Sequence, residues 1–195
     1  INANESIIWL RQSAERGNHS AQVKLAKRYQ TGQGVERDPE QYIYWLKNAA
    51  DSGYTEAQFL LGIELHKGRV CEKNLSSALT YLERAAKSNN IDAMCLILSD
   101  AELLSLSVLD PKEILQYLLE RENELSSNQL IQLSKHFENS DITHALKLAQ
   151  LSYSKDAKCA WRYYVELLEK CGSHESKAMA LKVTKDIAVE GNAIA

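Results

Sequence analysis

Ser152-Tyr153-Ser154-Lys155 has the spacing in which a lysine sits beside a serine nucleophile in penicillin-recognising enzymes. That chemistry also needs S-D-N and K-T-G elements, and the chain has neither. The tetrad falls at the end of a helical stretch, where Ser and Lys are ordinary. Gly32-Gln33-Gly34 resembles part of a phosphate-cradling loop. A nucleotide fingerprint needs a preceding strand and a longer glycine pattern, so these residues read as a helix–helix turn. The histidines are His19, His66, His136, His144 and His174, and none forms H-E-x-x-H or an i, i+4 pair. His136 and His144 flank a turn near Glu138 and Asp141, which reads as a solvated turn rather than a metal site. Cys71, Cys95, Cys159 and Cys171 contain no C-x-x-C pair and no zinc-finger register. They read as small apolar residues and lean towards a reducing compartment. The chain is therefore expected to be non-catalytic, with no catalytic residue, metal or cofactor.

Residue types that dominate protein interfaces are better represented. Trp161, Arg162, Tyr163 and Tyr164 are consecutive, and three large aromatics in four residues are not expected all to face inward. Trp161, Arg162 and Tyr164 are therefore candidates for a partner contact, because Trp, Tyr and Arg carry much of interface energy. Lys24, Lys27 and Arg28 place three cations within five residues. Residues 100–142 hold 3 basic and 9 acidic side chains, with Glu120, Glu122 and Glu124 clustered. Such an acidic belt can steer a basic partner.

These residues are positioned by a repeat. At an offset of 36, Trp9, Trp45, Tyr81 and Tyr117 share one column, and Leu10, Leu46, Leu82 and Leu118 share the next. Ala14, Ala50 and Ala86 align, then Gly17, Gly53 and Asn89, then Ala21, Ala57 and Ala93. Leu25, Leu61 and Ile97 follow, and Gly32 matches Gly68. Asp38, Asn74 and Asp110 align without a gap. Each unit reads as two helices. The first spans roughly Ser20–Gln30, with Ala21, Leu25 and Tyr29 on one face. Gly32 and Gly34 end it, because glycine tolerates a positive φ. Asp38 caps the second helix, with Pro39 at its first position, where a missing N–H costs nothing. That helix runs to about Ser52 and buries Tyr42, Trp45, Leu46 and Ala49. No pair has enough apolar surface to stand alone, so units must stack.

The pattern weakens after Asp92. One helix is expected over Asp92–Ser107, then pairs at Asn128–Phe137 with Ile142–Tyr153 and at Ala157–Lys170 with His174–Glu190. The expected fold is all-α, an α/α superhelix of helix-turn-helix repeats with about eleven helices. Residues 1–195 form a single solenoid on this reading, regular over 6–91 and divergent over 92–195. It starts on the second helix of a partial unit, which suggests a fragment. First helices line the inner surface, where the columns Lys24/Leu60, Lys27/Ile63 and Arg28/Glu64 are partly exposed. The candidate binding residues there are Lys24, Lys27, Arg28, Ile63 and Glu64.

The columns resemble the Sel-one-like repeat, a relative of the tetratricopeptide repeat. Its pattern is matched by Ala21, Leu25, Tyr29, Gly32, Gly34, Val35, Asp38, Trp45, Ala49, Ala50 and Gly53. The family glycine after Leu is Ala26 in one unit and Gly62 in the next. The resemblance is strong over 6–91 and weak beyond. It implies an α/α superhelix that binds other proteins or organises complexes, and it carries no catalytic residues over.

Composition narrows the partner. The 195 residues carry 23 Lys+Arg against 26 Asp+Glu, a net charge of −3. Binding along a phosphate backbone needs a basic surface, so nucleic acid is not expected. The longest apolar stretch, Cys95 to Leu109, is broken by Asp100 and Glu102 and is too short to span a bilayer. The expected function is a protein-interaction scaffold that takes a peptide or partner protein along its inner surface. The alternative is a bacterial envelope component of a polysaccharide-export or surface complex.

Overall fold

The computed structural model describes residues 3–192, and the side chains of 6–188. The described residues form twelve helices and no strand. They are α1 (Ala3–Glu15), α2 (His19–Thr31), α3 (Pro39–Asp51), α4 (Thr55–Lys67), α5 (Leu75–Lys87) and α6 (Ile91–Ser99). Then come α7 (Ala101–Leu106), α8 (Pro111–Glu120), α9 (Ser127–Phe137), α10 (Ile142–Lys155), α11 (Ala157–Cys171) and α12 (His174–Asn192). The all-α repeat architecture is as the sequence predicts. The single helix expected over Asp92–Ser107 is instead two, α6 and α7. α7 begins directly after Asp100, a residue type that favours the N-cap over a helix interior.

The chain divides into two compact units, the first holding residues 1–97 and 102–109, the second 98–101 and 110–195. In the first unit α1 packs on α2, α2 on α3, α3 on α4 and α4 on α5. Leu25, Ala26, Leu46, Ala49 and Ala50 are fully buried, joined by Ala14, Tyr42, Trp45 and Leu61. The small pairs Ala49-Ala50 and Ala85-Ala86 are buried and let helices approach. Gly62 takes this furthest, since a Cβ there would lie 2.7 Å from Leu82 Cγ.

The hydrogen bonds repeat with the sequence. Gln22 Nε2 donates to the Ala14 carbonyl at 3.1 Å, and Gln58 Nε2 donates to Ala50 at 3.3 Å. Asp38 N reaches the Tyr29 carbonyl, and Asn74 N reaches Leu65. The Asp38 carboxylate accepts from the backbone N–H groups of Glu40 and Gln41, capping α3 with Pro39 in its first turn. Gly17 and Gly53 have positive φ, and Asn89 in the same column has φ +61. Asparagine is among the few other residues that tolerate that conformation.

Trp45 is buried, and half-buried Tyr81 donates from its hydroxyl to Asp51 at 2.7 Å. Trp9, in the same column, is 67% exposed. The unit closes on residues 107 and 108, where the Glu83 carboxylate accepts from Ser107 Oγ and Val108 N, both at 2.8 Å.

In the second unit Asp110 caps α8, again ahead of a proline. α9 packs on α10, α10 on α11 and α11 on α12, and α11 also touches α9. Ser126 and Gln129 form a reciprocal capping box at the start of α9. Ser127 and Ser152 each donate a hydroxyl to the other's carbonyl. Ala145, Ala149, Tyr164, Val165, Leu167, Leu168, Ala180 and Val183 form the core.

Candidate functional site

Ala21, Leu25 and Tyr29 are buried, and this fixes the rotation of α2 about its axis. The opposite face then carries Lys24 and Lys27 exposed and Arg28 half-buried. The three cations, with Thr31 and Gln33, line an open depression of about 270 Å³. Thr31 Oγ1 donates to the Lys27 carbonyl at 2.9 Å, and Arg28 Nη1 donates to the Gln33 carbonyl at 3.4 Å. Lys27 Nζ meets Glu56 Oε1, in the first turn of α4, at 2.7 Å. No other carboxylate among the described residues pairs with these cations.

On α4, Leu60 and Ile63 are half-buried and present apolar surface. Glu64 is also half-buried, but it turns to α3, where its Oε1 accepts the Tyr42 hydroxyl at 3.0 Å. Burial and the Glu64 carboxylate together raise the Tyr42 phenol well above its usual range. Glu64, expected to face a partner, thus serves to tie α3 to α4.

The aromatic cluster of α11 also differs from expectation. Tyr164 is 4% exposed and stacks on Tyr153, with ring centroids 5.6 Å apart, so it is a core residue and not a partner contact. Trp161 and Tyr163 are half-buried, so none of the three stands fully in solvent. The reason is that α11 is flanked by α9, α10 and α12, which gives it more than one covered side. Tyr163 donates towards Glu138 Oε2, and Lys135 Nζ sits 5.5 Å from its ring centroid. Burial, with Glu138 adding to it, pushes the Tyr163 hydroxyl up to about 12. Arg162 is exposed, its guanidinium 5.3 Å from the centre of the Trp161 ring.

The motifs with catalytic spacing hold the fold. Ser152 is fully buried and bonded to Ser127, and Lys155 Nζ donates to the carbonyls of Asn123 and Leu125. Lys155 therefore gives two of its three N–H donors to a turn. Phe137 lies against both His136 and His144, stacked on the latter at 4.8 Å. The described residues contain no group of three metal-ligating side chains. Cys95 is buried, which with nearby Asp92 pushes its thiol up to about 12, whereas Cys159 is exposed and donates to Asn128. A larger open cavity of about 760 Å³ is lined by Arg11, Arg37, Glu36, Asp38 and Glu40 among others. Its charges are mixed, Asp38 is engaged as a cap, and Arg11 donates to the Tyr29 hydroxyl.

A series of helix hairpins whose first helices end in left-handed glycines, with bonds recurring every 36 residues, defines a helical-repeat protein. The Sel1 repeat pattern matches residues 2–18, 19–54 and 55–90. Residues 2–90, just under half of the chain, thus carry Sel1 repeats, and proteins built from these repeats generally serve as protein-interaction scaffolds.

Three solved structures are similar. A protective antigen of uropathogenic Escherichia coli with an SLR fold is 20% identical, with a TM-score of 0.77 over 96% of this chain and 42% of that one. A Sel1 repeat protein from Oxalobacter formigenes is 21% identical, with a TM-score of 0.74 over 95% of this chain and 79% of that one. An immunity protein from Pseudomonas aeruginosa is 23% identical, with a TM-score of 0.51 over 82% of this chain and 61% of that one. At these identities the likeness is one of fold, and the chain spans less than half of the first protein. No curated protein sequence matches the chain significantly. No helix of the described residues is long and apolar enough to cross a membrane.

Proposed function

We propose that the chain is a non-catalytic protein-interaction module that takes an acidic peptide or partner segment on the face shared by α2 and α4. The observation that carries this reading is the convergence of Lys24, Lys27 and Arg28 on one open depression. Half-buried Leu60 and Ile63 on α4 supply apolar surface for the same ligand. Cations of this kind raise association rate and fix the orientation of a charged partner more than they add affinity. In the second unit Trp161 and Arg162 are the candidate contact, their rings and charge already paired.

The test is affinity capture with the unaltered chain beside Lys24→Glu/Lys27→Glu/Arg28→Glu, followed by titration of the captured protein. None of the three side chains belongs to the core, so circular dichroism should be unchanged. Partner affinity should fall by about tenfold or more, given roughly 0.2–1 kcal/mol for each lost exposed charge contact and the added repulsion. Undiminished affinity with the triple variant would remove the site from α2.

A further inference from the structure

One of the three cations lining the depression on α2, Lys27, already has a carboxylate partner. Glu56 reaches across from α4 and sets Oε1 2.7 Å from Lys27 Nζ. Both side chains are about half exposed, at 50% and 48%. Among the described residues the Glu56 side chain makes no other ion pair or hydrogen bond, and its carboxylate lies in the first turn of α4, where it also complements the helix dipole. Lys24 and Arg28 face the same space without a carboxylate of their own.

We infer that Glu56 is an internal competitor for the ligand of this site, one that damps the site's preference for peptides carrying several neighbouring carboxylates. This rests on the reading of the α2 face given above. The geometry explains the damping. A first ligand carboxylate meets Lys24 and Arg28 with no carboxylate to displace. A second reaches Lys27 only when Glu56 leaves, and exchanging one carboxylate for another gains little. The third cation is therefore withheld from the ligand while Glu56 stays. Because exposed ion pairs are weak, the displacement is reversible and easily driven by a multiply charged segment. The two charges lie in water, so the competition weakens at about 1 M salt, where the screening length is about 3 Å.

The experiment uses fluorescein-labelled hexaglutamate, and a labelled peptide with one glutamate among glutamines, titrated by anisotropy at low salt. The proteins are the unaltered chain, Glu56→Gln, Lys27→Gln and the double variant. Glu56→Gln should bind hexaglutamate about threefold more tightly, as expected for release of an exposed pair. The single-glutamate peptide should bind both proteins alike, and the gain should vanish in the Lys27→Gln background. Equal or weaker binding of hexaglutamate by Glu56→Gln overturns the competitor. Absence of hexaglutamate binding to every protein overturns the cation site itself, and the competitor with it.

Discussion

Leu82→Ala should destabilise the first unit by about 3–5 kcal/mol, the range for emptying a fully buried leucine site. Leu82 is 0% exposed, and Gly62 of α4 lies directly over it. The interest lies in its neighbour. A methyl added at Gly62 would sit 2.7 and 2.8 Å from Leu82 Cγ and Cδ2, and 3.3 Å from the Ala78 carbonyl oxygen. Leu82 has no solvent into which to swing, so Gly62→Ala overpacks, at a cost of about 1–3 kcal/mol before the gain in helix propensity of about 1 kcal/mol. In the preceding repeat Ala26 stands at the matching place, fully buried, so the methyl itself is compatible with the fold. The double variant Gly62→Ala/Leu82→Ala should therefore recover about 1–2 kcal/mol relative to the sum of the single losses, because residues in contact are not additive. Urea unfolding of the four proteins measures this. Additive losses would mean that Leu82 does not confine position 62.

Gly68→Ala should cost about 2–5 kcal/mol, and Gly32→Ala only about 1–2 kcal/mol, although the two glycines occupy one column of the repeat. Both end first helices in the left-handed region, at φ +63 and +75. Each donates its N–H four residues back, to Glu64 and Arg28 respectively. The backbone penalty for a side chain is thus common to both. The surroundings differ. A Cβ at position 68 would lie 2.8 Å from Lys73 Cβ and 3.2 Å from Lys73 Cα and N, whereas at position 32 the nearest atom is Arg37 Cβ at 3.6 Å. Lys73 Cβ cannot retreat without its backbone, so the second turn must deform. Thermal unfolding of the two variants decides the matter, and equal losses would show that only the dihedral angle counts.

The first 91 residues were legible because their devices are local. A glycine with positive φ, an aspartate ahead of a proline and an alanine pair each announce themselves in the sequence. Asn89 was legible in the same way, standing in a glycine column and adopting the glycine conformation. The break at Asp100 was not, since the apolar face of α6 and α7 runs through it. The site was legible in part. The face of α2 followed from the burial period of Ala21, Leu25 and Tyr29. The partners Lys27–Glu56 and Tyr42–Glu64 did not follow, because they join different helices at separations of 29 and 22 residues. The burial of Tyr164 did not follow, because it depends on α11 having neighbours in α9, α10 and α12, which the spacing within one helix does not reveal. The closing turn held by Glu83, and the turn held by Lys155, leave no glycine to read.

The periodic bonds of the first unit also set a unit of length. Gly17, Gly53 and Asn89 donate to Ala14, Ala50 and Ala86, and Asn18, Tyr54 and Asn90 donate to Ser13, Ala49 and Ala85. Every donor and acceptor in the series moves by the same 36 residues. A gain or loss of 36 residues between equivalent points leaves each donor facing an acceptor of the same kind. A change by another number inside one of these helices turns a core leucine towards water and a polar side chain towards the core. Along this stretch the polypeptide can grow or shrink as a chain of links does, by whole links.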